Sequence, residues 1–304
     1  MDVTTGVAYT NLPIVEKGTN SFNGWYLGDT LITTNSVIPY EETITLTAHY
    51  NTSSVGKAIL TSDNNIHFIS TDIDLDTNLY TYAGKNISKF YNCRTDNYKN
   101  ADGRTPWHEE LNSIIKDAYF EKSFVNFKPL SLRFYFFNES GNHDITGIYG
   151  LENINLSQVD GLVSFMDNQH LIKKIVLPEN FKQATKLTSI DGIFTGCTGL
   201  EYADISNLYT ASLTGIWSVF NQCTSLKTFV GSNLDLTKCP SISGFFTDCS
   251  SLTTLDLSGW KFRDGTIKMY HMFSGCTNLE SLDLSNWKML RTIQFKGMFT
   301  DCSK

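Results

Sequence analysis

From residue 194 onward the chain repeats Phe-x-x-Cys five times, at Phe194/Cys197, Phe220/Cys223, Phe246/Cys249, Phe273/Cys276 and Phe299/Cys302. Successive phenylalanines lie 26, 26, 27 and 26 residues apart, a register that chance does not produce. No other feature constrains the fold as tightly. A unit this short cannot bury an apolar face alone, so the copies must stack, each touching only its neighbours.

Leucine follows the first four cysteines by three residues, at Leu200, Leu226, Leu252 and Leu279, and opens a short alternating stretch. The clearest copies read Leu252-Thr-Thr-Leu255-Asp-Leu257-Ser-Gly-Trp260 and Leu279-Glu-Ser-Leu282-Asp-Leu284-Ser-Asn-Trp287. Leucines alternating with an outward Asp are the pattern of a strand buried on one face. This spacing and period are those of leucine-rich repeats. The expected fold class is an α/β solenoid, about 26 residues per coil, with a parallel sheet and with Leu, Phe and Met inside. The segment before each Phe, such as Gly265 to Met272, suits a short helix or a turn. Fainter copies come earlier: Phe165 to Leu177, with Asn168 in the cysteine position and Leu171, Ile175 and Leu177 as its leucines, and Ile148 to Leu156 as a degenerate entry coil. The solenoid is therefore expected over 145–304.

Five of the seven cysteines take one position of successive coils, which reads as a ladder of small buried side chains. Coils stacked about 4.8 Å apart bring neighbouring thiols within disulfide reach, but parallel side-chain vectors give the wrong geometry. Cys93 and Cys239 lie outside the ladder, and all seven are expected to be free thiols. No pair has the C-x-x-C spacing of a zinc knuckle.

The string Met272-Phe-Ser-Gly-Cys276-Thr-Asn-Leu-Glu-Ser-Leu-Asp-Leu-Ser-Asn-Trp287 resembles the repeat of BspA-like leucine-rich-repeat surface proteins of bacteria, over roughly residues 145 to 304. The third copy departs from it, with Val230 in place of the Asp and Gly231 in place of the last Leu. Leu12-Pro13, Phe22-Asn-Gly24-Trp25-Tyr26 and Ile44-Thr-Leu46-Thr-Ala48-His-Tyr50 are similar to the Listeria-Bacteroides repeat, which implies a small β-rich module over 1–51. The strand that usually opens that module is missing. Within 52–144, alternation in Lys57–Thr61 and Asn65–Ile69 predicts strands, and the spacing of Trp107, Leu111, Ile114 and Ile115 predicts a helix. A comparable α/β segment precedes the repeats of BspA-like chains, which implies an N-terminal α/β cap here. Both ends read as cut, since Cys302-Ser-Lys304 stops before the next strand. An uncapped last coil is expected to fray or to self-associate.

Little chemistry is encoded. Lys and Arg total 24 against 31 Asp and Glu, a net charge of −7 with no basic block, which argues against nucleic acid as partner. No apolar run reaches 18 residues and no export leader opens the chain, so no membrane insertion is expected in this segment. His108-Glu109-Glu110 begins like a zincin helix, but Asn112 stands where the second His must be. Asp72-Ile-Asp74-Leu-Asp76 begins like a calcium loop, but Thr77 and Ala83 occupy its Gly and bidentate Glu positions. No G-x-S-x-G, phosphate-binding or dinucleotide fingerprint occurs, and the six histidines share no motif. The expectation is no enzyme, no cofactor and no metal.

What remains is a surface. With the leucines inward, the sheet presents Tyr202 and Asp204, then Thr228, then Thr254, Asp256 and Ser258, then Ser281, Asp283 and Ser285, with Trp260 and Trp287 as an aromatic rim just beyond. Such a row forms an extended binding face in solenoids. The resemblance to BspA-like adhesins implies a cell-surface or secreted adhesion module binding a protein or glycan on a host or neighbouring cell. The alternatives are a glycan-recognition module using the aromatic rim, and a structural stalk or phage virion appendage.

Overall fold

The computed structural model describes residues 2–3, 21–27, 30–32, 44–51, 56–71, 81–93, 105–139, 144–285, 287 and 293–304. Contacts divide the chain into two units: Met1–Arg94 with Ile115–Lys128 and Ile148–Asn155, and Thr95–Ile114 with Pro129–Gly147 and Leu156–Lys304.

The first unit is β-rich. Its largest sheet has the spatial order Gly147–Tyr149, Asp117–Phe120, Asn65–Ser70, Gly56–Thr61, Lys85–Cys93, Thr81–Tyr82. The two alternating stretches form its centre, Asn65–Ser70 pairing antiparallel with Gly56–Thr61 and parallel with Asp117–Phe120. Almost every residue of that central pair is buried, as in strands covered on both faces. Phe68, Phe120 and Phe124 pack within 4.7–5.9 Å of one another on it. A separate antiparallel sheet, Thr30–Leu31, Ser21–Leu27, Thr47–Asn51, holds part of the stretch similar to the Listeria-Bacteroides repeat; Leu12-Pro13 lies outside the described residues. Helix is scarce where an α/β cap was expected over 52–144. The helix read from Trp107, Leu111, Ile114 and Ile115 is the four-residue turn His108–Leu111 of the second unit, after which Asn112 leaves helical geometry. Ile114 is consequently exposed while the other three are buried.

The second unit is a β-solenoid of about six turns with mostly parallel strands. Each leucine segment contributes a three-residue strand: Lys174–Val176, Tyr202–Asp204, Thr228–Val230, Thr254–Asp256 and Ser281–Asp283. They pair parallel with Lys174 opposite Tyr202, Tyr202 opposite Thr228, and Thr254 opposite Ser281. The ladder is broken between the third and fourth strands. There Phe229 and Gly231 replace the two inward leucines, and the larger Phe229 ring packs edge-on against Phe246 at 5.0 Å. Beyond the break, Asp235–Leu236 pairs with Lys261–Phe262.

A second ladder runs through the segment before each Phe, and it is a turn rather than a helix. The amides of Phe134, Ser164, Gly192, Ser218, Gly244 and His271 donate to the carbonyls of Val163, Asp191, Trp217, Ser243, Tyr270 and Lys296 in the next coil, at 2.8–3.1 Å. In a helix those amides would bond within their own segment. Here each of these donors has positive φ, between 49° and 68°, which aims its N–H along the stack. A second left-handed column, four residues on, contains Asn168, Gly196, Gln222, Asp248, Gly275 and Asp301. Gly196 takes this conformation without strain, and a Cβ there would fall 2.0 Å from Asn168 Oδ1. The ladder reaches back to Leu132–Asn138, a coil with no Phe-x-x-Cys motif.

The interior is a set of columns. Phe194, Phe220, Phe246, Phe273 and Phe299 stack at centroid spacings of 5.2, 5.8, 6.0 and 5.4 Å with interplanar angles of 8–21°. Each such pair adds about 0.5–1.5 kcal/mol beyond its area burial. The thiols of Cys197, Cys223, Cys249, Cys276 and Cys302 donate to the carbonyls of Met166, Phe194, Phe220, Phe246 and Phe273 at 3.0–3.1 Å. This corrects the reading of the preceding coil. Asn168 is the left-handed residue, and Gln169 takes the cysteine position, fully buried, its Nε2 donating to Phe136 O at 2.7 Å while its Oε1 accepts from Ile145 N at 2.9 Å. The inward residue three further on is therefore Ile172, 5% exposed, and not Leu171, 49% exposed.

Two predictions follow from these columns. Leu255→Ala removes a buried side chain and is expected to cost about 2–5 kcal/mol, whereas Asp256→Ala, on the exposed side of the same strand, costs a small fraction of that; equal shifts in denaturant melts would invert the faces. Burial pushes Cys197, Cys239 and Cys276 up to about 12 and raises Cys223 and Cys249 well above the ordinary thiol value. The folded chain keeps protons that the unfolded chain loses above about pH 8.5, so this contribution to stability is complete below that pH and is lost as pH rises toward the folded values. The Tm is expected to fall from pH 8.5 to 11, less steeply in Cys223→Ala/Cys249→Ala, and thiol reagents at pH 8 should reach half-buried Cys302 before the rest of the ladder.

Candidate functional site

The row expected to face outward does so along the strands. Thr228, Thr254, Asp256, Ser281, Asp283 and Ser285 are exposed, and Tyr202, Asp204 and Ser258 half-buried. Lys174 Nζ stands 5.0 Å above the Tyr202 ring, and Lys227 pairs with Glu201 at 2.8 Å beside it.

The acidic members are tied down in one manner. The Oδ1 atoms of Asp204, Asp256 and Asp283 accept from the amides two residues on, Ser206, Ser258 and Ser285, at 2.8–3.0 Å. The Ser206 and Ser258 hydroxyls donate to the same oxygens at 2.6 Å. Asp-x-Ser is thus a side-chain-capped corner that ends three of the five strands, those closing on Asp204, Asp256 and Asp283. The bonds from Ser258 hold the Asp256 carboxyl below its ordinary value. The recurrence of Asp has a structural cause, and the charge it leaves on the surface is regular: Asp256 and Asp283 are register partners.

Trp260 and Trp287 are not on this surface. They are 3% and 7% exposed, stacked at 6.4 Å and 17°, and their indole N–H groups donate to Gly231 O and Leu257 O at 2.7 Å. A ring whose N–H finds a carbonyl of the preceding coil gains burial at no polar cost, so the rim closes as an internal column. The sequence reading passed over Trp217, 56% exposed. It belongs to no motif, and only the ladder register shows that it shares a column with Asp191, Ser243 and Tyr270.

Other titratable groups are dispersed. In the second unit, His108 Nε2 meets Glu139 Oε2 at 3.2 Å and His170 Nδ1 meets Asp144 Oδ1 at 2.9 Å. In the first, His67 Nδ1 meets Glu121 Oε1 at 2.7 Å. Burial pushes the Asp167 carboxyl up to about 6, against a hydrogen bond from Ser164. Among the described residues, no group of three or more His, Cys, Asp and Glu has an arrangement that could hold a metal ion. Asn112, where a zincin would carry its second His, donates to His108 O at 2.8 Å. Asp72, Asp74 and Asp76 lie outside the described residues. No helix among the described residues is long and apolar enough to cross a membrane.

No curated protein and no solved structure matches the chain. Residues 188–304 match a family described as "Mycoplasma protein of unknown function, DUF285", a stretch that begins at the turn segment of the first Phe-x-x-Cys coil and takes in all five copies of the motif.

Proposed function

We propose that this chain is a non-enzymatic interaction module of a cell-surface or secreted bacterial protein, and that its solenoid is a leucine-rich-repeat variant of the BspA-like kind. It binds a protein on a host or neighbouring cell through the outward strand row. The observation that carries this reading is the row itself. Hydrogen-bonded strands and capped corners present Thr254, Asp256, Ser281 and Asp283 at regular spacing, and no packing demand inside the coil uses them. A face held this rigidly loses little entropy on binding. The resemblance of the Met-Phe-x-x-Cys repeats to bacterial surface proteins supports the cellular setting.

The test is binding of the immobilised full chain to a panel of purified matrix and cell-surface proteins. Asp256→Asn/Asp283→Asn keeps the Oδ1 acceptors of the corners and removes the charge, while Asp256→Lys/Asp283→Lys reverses it. Rim charges act on association rate and salt dependence, so affinity for a captured partner is expected to fall modestly in the first pair and about tenfold or more in the second, with the melting temperature of the Asn pair unchanged. Equal affinity in both pairs would move the site off the strand row.

A further inference from the structure

On the turn face of the solenoid lies a groove of about 260 Å³ lined by Trp217, Ser218, Asn221, Ser243, Tyr270 and His271, with Gly244 and Thr247. Its walls depart from the repeat. The column Asp191, Trp217, Ser243, Tyr270 places two aromatic residues two coils apart with a serine between them, a separation of about 9.6 Å from twice the strand spacing. The column Thr195, Asn221, Thr247 places an amide between two threonines whose hydroxyls donate to Ser218 O and His271 O of the next coil at 2.6 Å. The stack is therefore satisfied by Asp, Ser or Thr at these positions; the Tyr270 hydroxyl donates to Gln294 Oε1 of the next coil, whereas the Trp217 and Asn221 side chains have no part that the repeat demands.

Four polar side chains there are unspent among the described residues, whereas the Thr247 hydroxyl donates to His271 O and the Ser243 hydroxyl is bonded to that of Ser241. The indole N–H groups of Trp107, Trp260 and Trp287 each donate to a backbone carbonyl, at 2.7–3.0 Å. Trp217 makes no such bond among the described residues, and neither do the Asn221 amide, the Ser218 hydroxyl or the His271 ring. Gly244 keeps the floor low, since a Cβ would lie 3.1 Å from Ser218 Oγ at φ +68°. An exposed indole beside an open floor, with unengaged donors and acceptors lining the same groove, matches one ligand chemistry. A pyranose offers an apolar C–H face that covers an aromatic ring and a rim of hydroxyls that both donate and accept. The volume lies just below the roughly 300–1,000 Å³ of drug-sized ligand sites, a size for a single ring. The column carries opposite charges on either side of the groove, the Asp191 carboxylate, held by Trp217 N and Ser189 Oγ at 2.7 Å, one coil before Trp217 and exposed Lys296 one coil after Tyr270, a balance that suits a neutral sugar better than a charged one.

We propose that this groove binds a neutral saccharide unit, with Trp217 as its stacking platform and Asn221, Ser218 and His271 as its hydrogen-bonding wall. The site lies on a different face from the strand row and stands or falls independently of it. Saturation-transfer NMR on the full chain, with methyl glycosides of glucose, galactose, mannose and N-acetylglucosamine and with glucuronic and sialic acid as anionic counterparts, gives the test. At least one neutral glycoside is expected to bind with a dissociation constant of about 1 mM. Trp217→Ala is expected to weaken it about tenfold or more, and Trp217→Phe and Asn221→Ala to weaken it less, with melting curves unchanged. Overturning results are no transfer to any neutral glycoside at 10-fold the expected constant (about 10 mM), a preference for the acids, or full binding by Trp217→Ala. Asp256→Lys/Asp283→Lys should leave glycoside binding intact, and Trp217→Ala should leave protein capture by the strand row intact, so failure of either reading is visible separately.

Discussion

Everything in the solenoid depends on one interaction, the in-register contact between a residue and its equivalent one coil away. Coils about 4.8 Å apart allow no other arrangement: whatever side chain a position holds, its neighbours above and below hold the same role. Flat Phe rings can then stack face on face from Phe194 to Phe299, and each cysteine thiol can reach the carbonyl of the coil before it. Stability arises from many small identical terms along the stack.

The same contact sets the backbone. Amides must be aimed along the stack for neighbouring coils to bond, and in the turn segments this is achieved with left-handed residues in two columns. Such residues are costly for most side chains. Within a column a glycine often sits against a side chain of the preceding coil, as Gly196 does against Asn168 and Gly275 against Asp248. Where this accommodation is not needed, positions are free to vary, and variation there is informative. Trp217 and Asn221 stand out because their equivalents show how little the coil asks of those positions.

The strand face obeys a different rule. Its inward residues are fixed by packing, its acidic residues by the corner that follows, and Tyr202, the Thr and Ser side chains and the open carboxylate oxygens are left to meet another molecule. Recurrence of a polar residue in a repeat is thus no sign of function by itself, as the Asp-x-Ser corners show.

Periodicity determined much of this protein from its sequence alone: the stacked coils, the inward leucines, the cysteine column, and the outward place of Thr254, Asp256, Ser281 and Asp283. These follow because a repeat of constant length fixes which residues are equivalent, and burial then sorts them by polarity. Tertiary structure alone decided the rest. It placed Gln169, not Asn168, at the cysteine position, because an amide can serve the same carbonyl by a longer reach and no residue-type pattern records that. It put Leu132–Asn138 in the ladder on backbone hydrogen bonds, which carry no side-chain signature. It drew Trp260 and Trp287 inside and left Trp217 out, because an indole's place depends on whether a carbonyl of the adjacent coil lies within reach of its N–H, and that is a distance between segments far apart in the chain.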